Sequence, residues 1–282
     1  MKKILALTFA LCMALGLAAC GGGEAPVAEG EEAPAAEGEA VTLKVAASPT
    51  PHAEILEQAK DALAAEGITL EVTEYNDYVI PNTAVEEGDM DVNFFQHKPY
   101  LDDFNAERGT HLVSAGAIHY EPMGVYAGKT ASIDALADGA VIAVPNDTVN
   151  EARALLLLQD QGIIKVDPEA GLAATPNDIT ENPKNISFKE VEAAMLPNIV
   201  NEVDLAVINS NFALGGGLNP VEDALASEGA ESEGAKTYGN IIAVKEGKEN
   251  DPAVQTLVKV LQSEEMQTFI NETYQGAVVP VQ

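Results

Sequence analysis

The sequence predicts an α/β protein of two lobes with a ligand cleft between them. Three observations predict it. From Val41 to Phe95, alternating apolar stretches and helical stretches follow one another in a β-α-β-α-β order, the rhythm of a mainly parallel sheet with helices on its faces. A second α/β series opens at Ala140. The segment from Asn240 onward then returns as a strand and a long amphipathic helix. Ligands of open α/β sheets bind beyond the carboxyl ends of the strands, so a cleft is expected there.

The elements justify themselves in order. VTLKVAAS (41–48) alternates like a strand. PHAEILEQAKDALAAEG (51–67) has helical apolar spacing and closes at Gly67, the residue type suited to a helix C-terminus. ITLEVTEY (68–75) is a second strand, residues 81–88 a short helix with a Gly stop, and MDVNFF (90–95) a third strand. A helix follows Pro99, then strands at 111–118 and 123–128 and a short helix at 132–139. AVIAVPND (140–147) opens the second series. It continues with a helix at 150–161, a turn at 175–184, a strand at 186–191, a helix at 191–200 and a strand at 203–209. Residues 213–234 are rich in Gly, Ser and acids and read as a surface excursion. NIIAVKEG (240–247) is a strand, and 251–274 one closing helix. The partition is lobe 1 from 41 to 122, with 240–282 returning to it, and lobe 2 from 123 to 239.

The first forty residues are of a different kind. Lys2 and Lys3 precede an apolar run from Ile4 to Ala19, which is short for a spanning helix and suits a signal segment. It ends in Leu17-Ala18-Ala19-Cys20 and resembles a bacterial lipobox. That implies a signal peptide of residues 1–19, lipidation of Cys20 with acyl chains such as palmitate, and attachment to the extracytoplasmic face of the cell membrane. Residues 20–40 form an acidic tether containing the near-copies EAPVAEGE and EAPAAEGE. They have too little apolar surface to order themselves.

Composition excludes several classes. Asp and Glu number 45 against 15 Lys and Arg, for a net charge of −30. Phosphate neutralisation needs a basic face, so no nucleic-acid partner is expected. Cys12 and Cys20 both precede the body, which leaves it without a disulfide, a thiolate metal site or a Cys nucleophile. The four His are scattered and no HExxH occurs, so neither a metal nor a cofactor is expected. Gly124-Val-Tyr-Ala-Gly128-Lys129-Thr130 has three residues between its glycines where a phosphate loop needs four. There is no G-x-S-x-G, and no enzyme is expected.

Two stretches carry candidate chemistry. DVNFFQHKPYL (91–101) concentrates aromatic residues around Asn93, Gln96 and His97, as a pocket wall does. Strand alternation puts Phe94 and Phe95 on opposite faces, Phe94 towards the core and Phe95 towards a pocket. Arg153 falls near the start of a helix, where cations are disfavoured. A residue that breaks a local rule is often functional, and a guanidinium beside free helix N–H groups receives carboxylates. Asn150 lies one turn earlier on the same face. Each residue also has a plainer reading. Arg153 could pair with Glu151 or another acid, His97 could be a hydrogen-bonded structural imidazole, and the aromatic residues, including Tyr78, could be core or turn packing.

YNDYVIPN (75–82), FQHKPYL (95–101), AVPNDTVNEARALLLLQ (143–159), ENPKN (181–185) and LAVIN (205–209) occur in this order. With them the chain resembles the methionine-binding lipoprotein family, the substrate-binding components of ABC methionine importers. The resemblance implies a two-lobed type 2 periplasmic-binding-protein fold. It implies a monomer that captures L-methionine or a close analogue and delivers it to a permease and its ATPase. It places Tyr78, Phe95, His97 and Tyr100 at the thioether end of the ligand and Arg153 at its carboxylate. Asn209 and Asn240 fall at the amino-acid head group, with Asn150 assisting. Thr148 and Ala152 depart from the family's usual Pro and Gly, and neither is a contact residue. D-Methionine, methionine sulfoxide or a methionine-containing dipeptide are alternative ligands, and an enzyme or a surface adhesion protein are alternative classes.

Overall fold

The computed structural model describes residues 41–229 and 236–281. The expected signal segment 1–19, tether 20–40 and lipidation residue Cys20 lie outside the described residues. In chain order the strands are β1 Val41–Ala47, β2 Ile68–Glu74, β3 Val92–His97, β4 Leu112–Tyr120, β5 Gly124–Ala127 and β6 Val141–Pro145. They continue as β7 Lys165–Val166, β8 Ile179–Glu181, β9 Ser187–Val191, β10 Leu205–Ile208, β11 Ala224–Ser227, β12 Gly239–Lys245 and β13 Val279–Pro280. The helices are α1 Glu54–Ala65, α2 Ile80–Glu87, α3 Lys98–Arg108, α4 Thr148–Asp160, α5 Leu196–Ile199, α6 Ser210–Gly215, α7 Pro252–Leu261 and α8 Glu264–Tyr274.

Two large sheets result. The first has the order β13-β4-β12-β3-β1-β2, the second β11-β5-β10-β6-β9, and β7 and β8 form a small hairpin. β3 runs down the middle of the first sheet, and all six of its residues are buried. A strand covered on both faces reads as a continuous apolar and aromatic run, as VNFF does. β2, at the edge, alternates instead. Leu43, Val45, Ile55, Leu63, Phe94 and Leu257 pack into one core against the first sheet. Ile142, Val144, Leu155, Leu158, Leu205 and Val207 pack into another against the second.

The sheets are more mixed than the β-α-β rhythm predicts. β1 runs parallel to β2 and β3, but β12 is antiparallel to both β3 and β4. The reason is connectivity. β12 enters from the second sheet rather than through a crossover helix, so nothing holds it parallel. The chain passes between the sheets after β4, at residues 121–123, and returns between β11 and β12.

Several expected boundaries shift. The closing helix divides in two, because the Ser263 side chain accepts the Met266 N–H at 3.3 Å and starts a new helix. The helix expected at 191–200 reduces to the four-residue α5 between short 3-10 turns. Asp147 caps α4 by accepting the Asn150 N–H at 2.9 Å, so α4 starts at Thr148 and Arg153 sits in its second turn. The third strand continues to His97. The excursion expected at 213–234 is structured in part, since β11 pairs with β5 inside it.

Gly128 ends β5 against the turn that precedes β10. A methyl group there would meet the carbonyl oxygens of Val200 at 2.2 Å and Val203 at 2.3 Å. Backbone atoms cannot yield as side-chain tips do. Gly128→Ala is therefore expected to lower stability by about 1–3 kcal/mol, measured as a shift of the urea midpoint at unchanged slope.

Candidate functional site

A small cavity lies between the two sheets. All eight residues singled out from the sequence line it. Tyr78, Phe95, His97, Tyr100 and Asn240 come from elements of the first sheet, and Asn150, Arg153 and Asn209 from elements of the second. Phe95 and His97 close the carboxyl end of β3, Asn209 follows β10, and α4 begins just after β6. The position is the one that open α/β sheets reserve for ligands.

One wall is aromatic. Ring centroids of Tyr78 and Phe95 are 5.6 Å apart, those of Tyr78 and Tyr100 also 5.6 Å, and those of Phe95 and Tyr100 6.1 Å. The Tyr100 hydroxyl donates to the Tyr78 carbonyl at 2.9 Å. Phe94 faces the other way, into the core, with its ring 4.7 Å from that of His52. Gln96 donates to Asn93 Oδ1 at 2.9 Å and accepts from Asn82 Nδ2 at 2.9 Å. Buried amides satisfied in this way tie β3 to α2 and hold the wall in place.

The opposite wall is polar. His97 Nδ1 accepts the Tyr100 N–H at 3.2 Å and so starts α3. The proton is thereby assigned to Nε2, which donates to Asn150 Oδ1 at 3.2 Å. Asn209 Nδ2 donates to the same oxygen at 2.8 Å. Asn150 in turn donates to Asp147 at 2.9 Å. The Tyr78 hydroxyl donates to Asn211 Oδ1 at 2.6 Å. The bonds from His97 and Tyr78 run from one sheet's elements to the other's, and the cleft is closed. Burial first, and then the charge of Arg153, pull the His97 pKa down to about 3.

Arg153 is 4% exposed and is not waiting for a partner. Its Nε donates to Glu228 Oε1 at 2.8 Å, and Nη2 donates both to the other oxygen of Glu228 and, at 2.8 Å, to the Glu121 carbonyl. Among the described residues, Nη1 makes no hydrogen bond. The guanidinium carbon lies 4.2 Å from the centre of the Tyr238 ring. Burial works against the charged form of Arg153, but the Glu228 carboxylate outweighs it and the pKa is raised. Burial likewise opposes the Glu228 charge, and Arg153 with two further donors outweighs that, so its pKa is lowered. The alternative pairing with Glu151 does not form. Glu151 Oε1 is buried without a hydrogen bond among the described residues, and burial raises its pKa to about 7. Glu228 was illegible in the sequence, because acids are uninformative in a chain this acidic.

Glu121, His52 and His119 are further residues that the sequence did not flag. The Glu121 carboxylate lines the cavity and accepts His119 Nε2–H at 2.7 Å. His52 Nε2 lies 3.2 Å from the same oxygen and 3.1 Å from Asn240 Oδ1. Candidate ligand atoms of the three side chains fall within 4.8 Å of one another, as a metal site requires. The imidazoles do not suit that role. Metal on Nε2 would put protons on both Nδ1 atoms, and neither has a partner among the described residues. Unprotonated Nδ1 atoms and Nε2–H donors, with Glu121 as acceptor, fit the geometry. The signal missed is distance: 67 residues separate His52 from His119 in sequence, so only the sheet brings them together.

Two predictions follow from these contacts. The His97 pKa is depressed on folding, so its contribution to stability is complete above about 6.5 and is lost as pH falls from there towards about 3. By pH 5 the loss amounts to about 2 kcal/mol. The stability difference between wild type and His97→Gln is expected to shrink by that amount between pH 7 and pH 5 in urea unfolding. Glu228→Gln removes the charge that matches a buried guanidinium. It is expected to cost roughly 3–5 kcal/mol in the same assay.

The chain is similar to known proteins over most of its length. Residues 43–282 match the NlpA lipoprotein family. A putative lipoprotein from Ruminococcus gnavus is 58% identical, with a TM-score of 0.85 over 86% of this chain and 99% of that one. The methionine-binding lipoprotein MetQ of Bacillus subtilis is 37% identical over 100% of this chain and 99% of its own length. A nutrient-binding protein from Burkholderia cenocepacia, solved bound to methionine, is 44% identical, with a TM-score of 0.81 over 85% of this chain and 100% of that one. The two-lobed fold expected from the sequence is that of ABC substrate-binding proteins. The chain belongs to the NlpA lipoprotein family, which includes methionine-binding lipoproteins of ABC importers.

Proposed function

We propose that this protein is a membrane-anchored substrate-binding lipoprotein that captures L-methionine and delivers it to an ABC permease and its ATPase. Capture is by closure of lobe 1, residues 41–122 with 240–282, onto lobe 2, residues 123–239. The observation that carries the reading is the convergence of an aromatic wall and a buried guanidinium on one closed cavity. Tyr78, Phe95 and Tyr100 offer ring edges and faces to a polarizable thioether. Arg153 offers a charged donor to a carboxylate through Nη1, while Asn150, Asn209, Asn240 and the neutral His97 fix the head group. Closure excludes water and strengthens the contact to Arg153. Among the described residues, no helix is long and apolar enough to cross a membrane. Attachment is assigned to lipid on Cys20, with the body on the extracytoplasmic face as a monomer. The work is binding rather than catalysis.

Titration calorimetry on ligand-stripped protein tests the reading. L-Methionine is expected to release heat and raise the melting temperature. Absence of both overturns the proposal, and tighter binding of D-methionine or methionine sulfoxide redirects it. Arg153→Ala, checked for folding by circular dichroism, is expected to bind at least about tenfold more weakly. Unchanged binding removes Arg153 from the site.

A further inference from the structure

Two charged side chains line the cavity among the described residues, Arg153 and Glu121. Arg153 has the role of a carboxylate receptor. Glu121 has had none, although it is 6% exposed and its carboxylate sits in the cavity wall. We propose that Glu121 receives the ligand's ammonium group and restricts the site to amino acids with a free α-amine. The assignment rests on the reading of the cleft as an amino-acid site and adds the residue that makes it selective for the zwitterion.

Glu121 is built into place rather than left mobile. His119 Nε2 holds Oε1 at 2.7 Å, and the backbone N–H of Asn211, at the start of α6, favours the charged carboxylate from the second sheet's side. His52 approaches the same oxygen while its Nε2 also reaches Asn240, another cavity residue. The imidazoles therefore act as supporting donors that orient the carboxylate without neutralising it. Burial pushes the Glu121 carboxyl up, and its neighbours His52, Arg153 and Asn211 pull against that. A buried carboxylate with a raised pKa lacks a full counter-charge, because the guanidinium nearest it is committed to Glu228. An ammonium would supply that charge. A second acceptor awaits the same group: Asn209 Oδ1, on the cavity wall, is buried without a donor among the described residues. An ammonium carries three N–H donors, and the wall offers a charged acceptor and a neutral one. A ligand without the amine would leave both desolvated and unpaired.

Calorimetry on the full chain tests this with ligands that differ only at the amine. L-Methionine is compared with N-acetyl-L-methionine and with 4-(methylthio)butanoic acid, in wild type, Glu121→Gln and Glu121→Asp. Wild type is expected to prefer L-methionine by between about ten- and a hundredfold. Glu121→Gln is expected to lose about tenfold or more for L-methionine and little for the amine-free acid, so the preference collapses. Glu121→Asp is expected to keep most of it. A purely structural Glu121 would weaken all three ligands alike, and an unchanged preference in Glu121→Gln overturns the proposal. A wild type that binds the amine-free acid as tightly as L-methionine overturns it without any variant, so the test survives a variant that fails to fold. Should L-methionine give no heat, the other standard amino acids are titrated. Binding of one of them with the same loss in Glu121→Gln rejects methionine as ligand and keeps the ammonium assignment. Binding of none overturns both.

Discussion

The ion pair between Arg153 and Glu228 anchors the segment by which the chain crosses between the two sheets. A guanidinium out of water costs several kcal/mol unless a carboxylate meets it with good geometry, and Glu228 meets it with both oxygens. Glu228 also accepts the Met123 N–H at 2.9 Å and the Tyr120 hydroxyl. Arg153 lies on α4, Glu228 directly follows β11, and Tyr120 and Met123 flank the passage after β4. One buried pair therefore fastens both routes by which the chain crosses between the sheets. The pair also sets the chemistry of the cleft, because the positive charge is already matched and, among the described residues, Nη1 is the guanidinium nitrogen without a hydrogen bond.

The bonds that close the cleft are of a different order. His97 to Asn150 and Tyr78 to Asn211 are direct hydrogen bonds between the halves. Each contributes about 0.5–1.5 kcal/mol net, since an open cleft exchanges them for bonds to water. A total of roughly 1–3 kcal/mol is small beside what a buried ligand's contacts supply. On the proposed function, a ligand decides the balance between open and closed forms through its differential affinity. The pair at the crossing and the bonds across the mouth differ in kind, the first charged and desolvated, the second neutral and modest.

Much of the fold was legible because the local signals were strong. Alternation in VTLKVAA and ITLEVTE, glycine stops at Gly67 and Gly88, and helical spacing in α1 all act over a few residues. Errors fell where a local device competes with periodicity. Ser263 restarts a helix inside an unbroken apolar pattern, Asp147 begins α4 before the apolar residues do, and β11 hides in acidic, glycine-rich sequence. In the site, FQHKPYL and PNDTVNEAR stood out as aromatic concentration and a misplaced cation. Glu121, Glu228, His52 and His119 did not, for an acid's meaning in this chain depends on whether it is buried.

By itself, the sequence determined the α/β class, the positions of most strands and helices, and the two segments that supply the walls of the cleft. Those follow from side-chain periodicity and from residue types with strong local preferences, which act whether or not the chain has folded. Tertiary structure alone decided the partners. It gave Arg153 to Glu228, brought Glu121 into the lining of the same cavity, and joined His52 to His119 beside its carboxylate. Charge pairing and burial depend on distance through space, and residues 67 or 75 positions apart meet only once the sheets are assembled.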